Sequence, residues 1–248
     1  MDKLAYTAFS GMRASLAAQS VTANNIANSS TTGFRRDFSA TVAAAVEARG
    51  TLEARILSQS RENQADMSEG TLIATGRPLD VAVSSGSFLT VQAEDGSEAY
   101  TRRGDLTVAP SGLLVNGEGH PIAGEGGPIT VPPASRIEIG ADGTIAIQAR
   151  DARPGDELEQ IGKLKLVTPE DPAQLKRLPS GLFTDPAGGL AGDPAARVVT
   201  GQLEGSNVNM AAELVNLTEQ ARQFELQVGL LTASRDLDQA SASLMRNE

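Results

Sequence analysis

One histidine, no cysteine and a scatter of carboxylates are the reactive side chains this 248-residue chain offers for metal or nucleophilic chemistry. His120 stands in a Gly-Glu-Gly-His-Pro turn, with no second histidine or cysteine to share a metal. A lone loop histidine is more often structural or solvated than catalytic. Gly124-Glu125-Gly126-Gly127 has the glycines of a phosphate loop but lacks the following Lys-Ser/Thr and helix. Asp142-Gly143 reads as a hairpin turn, because the alternating acidic ligands of a calcium loop are missing. Glu94-Asp95 and Glu170-Asp171 fall in polar loops, where both carboxylates stay hydrated. A glycosidase needs two carboxylates facing across a cleft, so a secreted cell-wall-acting enzyme stands as the alternative to a non-catalytic role.

Composition narrows the classes. Aromatic residues make up 3% of the chain and tryptophan is absent, a thin supply for a ligand pocket. A net charge of −10 argues against nucleic acid or anionic membranes as partners. No stretch of eighteen apolar residues spans a bilayer. Met1-Asp2-Lys3-Leu4 lacks the basic and apolar regions of a cleavable signal. The expectation is a cytosolic protein, or one exported by a route that needs no such peptide.

The elements that must position any site begin at the two ends. A long helix is expected from Asn209 to Met245, with apolar positions Met210, Leu214, Leu217, Ala221, Phe224, Val228 and Leu231 at alternating four-and-three spacing. Asn209 can cap it, and Glu213 suits the positive end of the helix dipole. After Leu231 the row slips by one position and continues as Ser234, Leu237, Ser241 and Leu244. Such a helix is on the order of 50 Å long, more than a compact domain needs, so something must lie beside it. Ala5, Phe9, Met12, Leu16, Gln19, Ala23 and Ile26 repeat the spacing near the other terminus, and Asn28 to Gly33 stops that helix. Small residues such as Ala14, Ser15, Ala17, Ala18 and Ser20 let helices approach closely. Two readings stay open: a tightly packed many-helix assembly, or an N–C helical pair within one domain.

Between the helices the pattern changes. Phe38, Val42 and Val46 sit at helical spacing in a short alanine-rich run, and residues 51–70 read as an extended polar connector. From residue 71 to 205, short runs at Leu79–Val83, Phe88–Gln92, Leu113–Val115, Ile137–Ile139, Thr144–Ile147 and Lys163–Val167 alternate with turn signals. Asp95-Gly96, Pro110-Ser111-Gly112, Asn116-Gly117 and Asp142-Gly143 are the clearest of these signals. Short strands with frequent turns indicate an antiparallel β domain. The Pro-, Gly- and Asp-rich run from Pro169 to Pro194 reads as irregular.

Four ordered motifs then resemble the flagellar rod and hook proteins. Ala23-Asn24-Asn25-Ile26-Ala27-Asn28 with Thr31-Thr32-Gly33-Phe34 is similar to that family's N-terminal signature. Gly76-Arg77-Pro78-Leu79-Asp80-Val81-Ala82-Val83 resembles the opening of its β domain. Tyr100 to Asp105, Ser111 to Val115 and Gly119-His120-Pro121-Ile122 continue the likeness. Gly201 to Asn209 and Gln220-Ala221-Arg222-Gln223-Phe224-Glu225 resemble the family's C-terminal lead-in and final helix. The opening Met1 to Met12 favours a rod member over a distal-rod or hook paralogue of the FlgG type. Ser84 to Leu89, Ala212 and Thr218 depart from the usual pattern.

The resemblance implies an α+β axial protein, its terminal helices forming a coiled-coil-like α domain around a central antiparallel β domain. Residues 1–36 and 207–248 would form the axial core, 37–70 a connector and 71–206 the outer β-rich domain. It implies a structural subunit of the periplasmic rod, exported through the flagellar type III apparatus without a cleaved signal. Expected partners are the rod proteins FlgB, FlgC and FlgG and further copies of the chain; no cofactor, metal or catalytic residue is expected. The expected assembly interface comprises Phe9, Met12, Leu16, Asn24, Asn25, Ile26, Leu214, Leu217, Phe224, Val228 and Leu231. Asn28 is adequately explained as a cap, whereas Asn24 and Asn25 are expected to bond between subunits. Arg35 and Arg36 are either solvated or paired with acidic groups across subunits.

Overall fold

The computed structural model describes residues 2–38, 41–45, 56–60, 64–150 and 157–246. The described residues are mixed α+β, with two long helices and a set of antiparallel strands. It divides into two compact units, one of residues 1–27, 37–64 and 209–248, the other of residues 28–36 and 65–208.

The first unit holds α1 (Asp2–Ala27) and α2 (Met210–Arg246). The expected cap is present: Ala212 N–H donates to Asn209 Oδ1 at 3.1 Å, and Glu213 follows in the first turn. At 37 residues α2 is about 55 Å long. A hairpin of Thr41–Ala45 with Ile56–Ser60 belongs to the same unit, its second strand alongside α1. The helical spacing of Phe38 and Val42 is therefore misleading, and Val46 lies outside the described residues. The polar run at 56–60 is a strand because pairing uses backbone groups, which polar side chains do not block.

The second unit contains the β structure. A five-stranded sheet runs in the order Leu166–Val167, Phe88–Gln92, Glu98–Thr101, Phe183–Thr184, Lys176–Arg177. A three-stranded meander joins Ala134–Ile139, Thr144–Ala149 and Glu159–Lys163, turning at Asp142-Gly143 as expected. The anticipated single strand Lys163–Val167 is split, its first residue closing the meander and Leu166–Val167 edging the larger sheet. Val81, Leu89, Val91, Leu106, Leu114, Ile122, Ile145, Ile147 and Leu164 form the main core. Phe88, Tyr100, Val167, Leu175 and Phe183 form a second cluster, with Phe88 and Phe183 edge to face at 5.8 Å. Phe183 corrects the irregular reading of 169–194, since that run supplies two strands of the sheet.

Candidate functional site

The turn residues that carried candidate chemistry are occupied with structure. Asp95 Oδ1 accepts from Ser97 Oγ and N–H, and Asp142 accepts from Thr144 Oγ1 and N–H. Those hydroxyl and amide donors hold both carboxyls below the usual aspartate range. Asp171 caps the short 3-10 turn Pro172–Gln174. His120 Nε2 lies 3.9 Å from Glu118 Oε2, beside an Arg103 guanidinium that binds Asp105 and Glu118. Among the described residues no cluster of His, Asp or Glu converges as metal ligands would.

The helices present the larger feature. α1 and α2 run antiparallel in contact: Ser15 Oγ donates to the Gln220 carbonyl at 3.1 Å, and Gln220 Nε2 donates to Thr22 Oγ1 at 3.0 Å. The less accessible row of α2 is Glu213, Leu217, Gln220, Phe224, Gln227, Leu231 and Ser234, and that of α1 is Ala8, Gly11, Ser15, Ala18, Thr22 and Asn25. Both rows keep the four-and-three spacing, but neither is the apolar row expected from the sequence. On α2 the two rows share Leu217, Phe224 and Leu231, and Ser234 where the expected row slips. On α1 they differ by one residue, about 100° of helix surface.

The expected apolar rows are in consequence left outward. Phe9 is 55% exposed and Leu16 51%, while Leu214 is 49% and Val228 40% exposed. Met210 is also exposed, and Met12 and Ile26 are half-buried. Leu237, in the continued row, is exposed too, and Leu226 and Leu230 add exposed apolar surface elsewhere on α2. The side chains of Ala5, Ser241 and Leu244 lie outside the described set. A monomer does not ordinarily leave so many large apolar side chains in water on one pair of helices. Asn24 is exposed, but Asn25 is not available to a neighbour. Its Nδ2 donates to the Asp37 carbonyl at 2.7 Å and its Oδ1 accepts from Asp37 N–H at 2.9 Å, at 1% exposure. The intersubunit role expected for Asn25 is withdrawn on that geometry.

The second unit contains an ionic clasp that sequence reasoning missed. Glu204, 2% exposed, binds Arg35 Nη1 at 2.6 Å and Arg102 Nη2 at 2.7 Å, and accepts from Arg102 Nε at 2.8 Å and Gly70 N–H at 2.9 Å. Arg102 also donates to the carbonyls of Ser84 and Ser87. Burial pulls the Arg102 guanidinium's pKa down, and the Glu204 carboxylate works against that. Arg35 is therefore neither solvated nor free for a neighbouring subunit. Beside it, Arg177 sits between the rings of Phe34 and Phe183, 4.7 and 4.9 Å from their centroids, and donates to the Arg35 carbonyl. Asn207 completes the tie, accepting from Arg36 N–H and donating to the carbonyls of Asp66 and Ser68. The signal available was a charged or amide residue inside each quoted motif: Arg102 in Tyr100 to Asp105, Glu204 and Asn207 in Gly201 to Asn209.

Gly33 lets this clasp close. Its φ is +67°, and a Cβ there would stand 2.5 Å from the backbone of Arg102 and Arg103. Gly33→Ala is expected to cost more than about 2 kcal/mol in urea unfolding of the chain, a clash with backbone added to the left-handed penalty. A loss under about 0.5 kcal/mol would show that the loop relaxes freely.

A helical pair with exposed apolar rows, together with a separate β unit, defines a class of protein built to assemble. Residues 6–35 match the family described as flagella basal body rod protein, 82–147 the flagellar hook protein FlgE/F/G D1 domain, and 199–244 the flagellar basal body rod FlgEFG protein C-terminal. The chain is 42% identical over 241 residues to the flagellar basal-body rod protein FlgF of Salmonella typhimurium, covering 94% of each chain. It is 41% identical over 244 residues to FlgF of Escherichia coli, covering 95% of each. Against the flagellar basal-body rod protein FlgG of Bacillus subtilis identity is 28% over 267 residues, covering 97% of this chain and 98% of the other. The chain belongs to the flagellar basal-body rod protein family, in its FlgF branch, as a structural subunit of the rod.

Proposed function

We propose that this chain builds the rod through its terminal helices, which join those of neighbouring subunits in a coiled-coil-like tube. That tube transmits torque as a drive shaft and surrounds the export channel. Residues 1–27 and 209–248, with the strands at 41–45 and 56–60, form the axial core, and 28–36 with 65–208 the outer domain. The observation that carries the reading is the exposed apolar row on each helix, Phe9 and Leu16 on α1 and Leu214 and Val228 on α2, at the seven-residue or double-seven spacing of helical seams. Phe9, Met12, Leu16, Asn24, Ile26, Leu214 and Val228 supply the contact, with Leu217, Phe224 and Leu231 bridging the two rows of α2.

The partners in this reading are FlgB, FlgC, FlgG and further copies, with the type III export apparatus as a transient one. The protein works in the periplasm and has no enzymatic role. Tagged chain recovered in the rod fraction of purified basal bodies tests the placement; tag found only in soluble periplasm would remove it.

Position within the rod falls to the second unit. Loops differ more between paralogues than seams do, and this unit exposes Leu72, Ile73 and Val199. Exchanging residues 71–205 for those of another rod protein is expected to change which deletion strain the chain restores to swimming. A chimera that still restores only its original strain would move the choice of neighbour to the helices.

A further inference from the structure

α1 and α2 meet along a row that is poorer in apolar surface than the rows they leave in water. Its centre is polar: the Gln220 side chain donates to Thr22 while its main-chain carbonyl accepts from Ser15, and Gln227 lies over Gly11, where a Cβ would stand 2.9 Å from Gln227 Nε2. These glutamines are costly choices for stability alone. Gln220 Oε1 and Gln227 Oε1 are both buried without a hydrogen-bond partner, and an unsatisfied buried acceptor opposes folding. The two residues are one heptad apart and face small α1 residues that leucine would also fit. A polar residue kept in a seam at the expense of stability is a device for fixing one arrangement among several.

The competing arrangement is visible in the sequence. Rolling α1 by about one residue, and α2 by about half of that, would turn Phe9 toward Val228, Leu16 toward Ala221 and Ile26 toward Leu214, and the pair would close on its own apolar rows. Leu226 and Leu230 would stay outward, but no apolar row would. We propose that Gln220 and Gln227 are positioning residues that set the roll of α1 against α2 and so keep the apolar rows facing out. The consequence for the rod rests on the assembly reading above; the roll itself does not.

The chain has no cysteine, so single thiols report exposure cleanly. Leu16→Cys and Val228→Cys are placed separately in the full-length chain and alkylated with a maleimide. In the background of Gln220→Leu with Gln227→Leu, both thiols are expected to react at least tenfold more slowly than in the parent chain, with helix content by circular dichroism retained. Gln223→Leu, at an exposed position off both rows, is the control and leaves the rates unchanged. Unchanged or faster labelling in the double-leucine chain overturns the proposal, the faster case meaning that the glutamines merely hold the pair together. The double-leucine strain should also fail to swim. Slow labelling in a strain that still swims keeps the roll assignment and overturns the assembly reading instead.

Discussion

Leu214→Asp, and separately Leu16→Asp, should leave the thermal unfolding of the isolated chain almost unchanged and abolish swimming. Both side chains are about half exposed in the single chain, so an aspartate there stays hydrated. Its cost is the lower helix propensity of aspartate, about 0.5 kcal/mol or less. Inside a tube of packed helices the same carboxylate would lose its water at every copy, at several kcal/mol each unless a cation meets it. Gln223→Asp carries the same propensity cost from an exposed position off both rows, and should swim. Phe224→Asp is the opposite control. Phe224 belongs to both rows of α2 and is only half-exposed, so its replacement should lower both chain stability and motility. The measurements are calorimetry on purified chain and motility of each mutant strain. A fall of several degrees for Leu214→Asp would place Leu214 against its own chain. Normal swimming by both mutants would remove the outward rows from the assembly.

How much of this could be read in advance depended on the range of the interaction. The helices, the Asn209 cap and the Asp142-Gly143 hairpin were legible because each is fixed by residues a few positions apart. The apolar row of α2 was legible as a row, but its direction was not. Four-and-three spacing marks a face that wants burial; it does not say whether the chain's own helix or another chain's will bury it. The row that α1 covers, with Glu213, Gln220, Gln227 and Ser234 in it, carries too little apolar contrast to stand out. Arg35 and Arg36 look alike in sequence. Only the return of the chain at Glu204 decides that Arg35 is buried. Phe183 was lost for another reason: two-residue strands between prolines and glycines show no periodicity.

The clasp gives the largest expected change in stability. Glu204→Gln keeps an acceptor for Gly70 N–H and nearly the same volume, yet removes the one negative charge between two guanidiniums that are each 2% exposed. Removing one partner of a buried ionic cluster typically costs about 3–5 kcal/mol, because the remaining charge has neither water nor counter-ion. For a unit of this size that corresponds to a fall of roughly 10 °C in Tm. Replacing the whole cluster is a different experiment. Arg35→Met, Arg102→Met and Glu204→Leu together remove the desolvation cost along with the attraction, and such exchanges are often neutral. Here recovery should be partial, because Ser84 and Ser87 lose the Arg102 donors and Gly70 loses its acceptor. The expected order of Tm is parent, then triple variant, then Glu204→Gln, measured by calorimetry on the full chain. If Glu204→Gln cost less than about 1 kcal/mol, the guanidiniums would have to be reaching water. If the triple variant fell below it, hydrogen bonding to the backbone, not charge balance, would be the main contribution of the clasp.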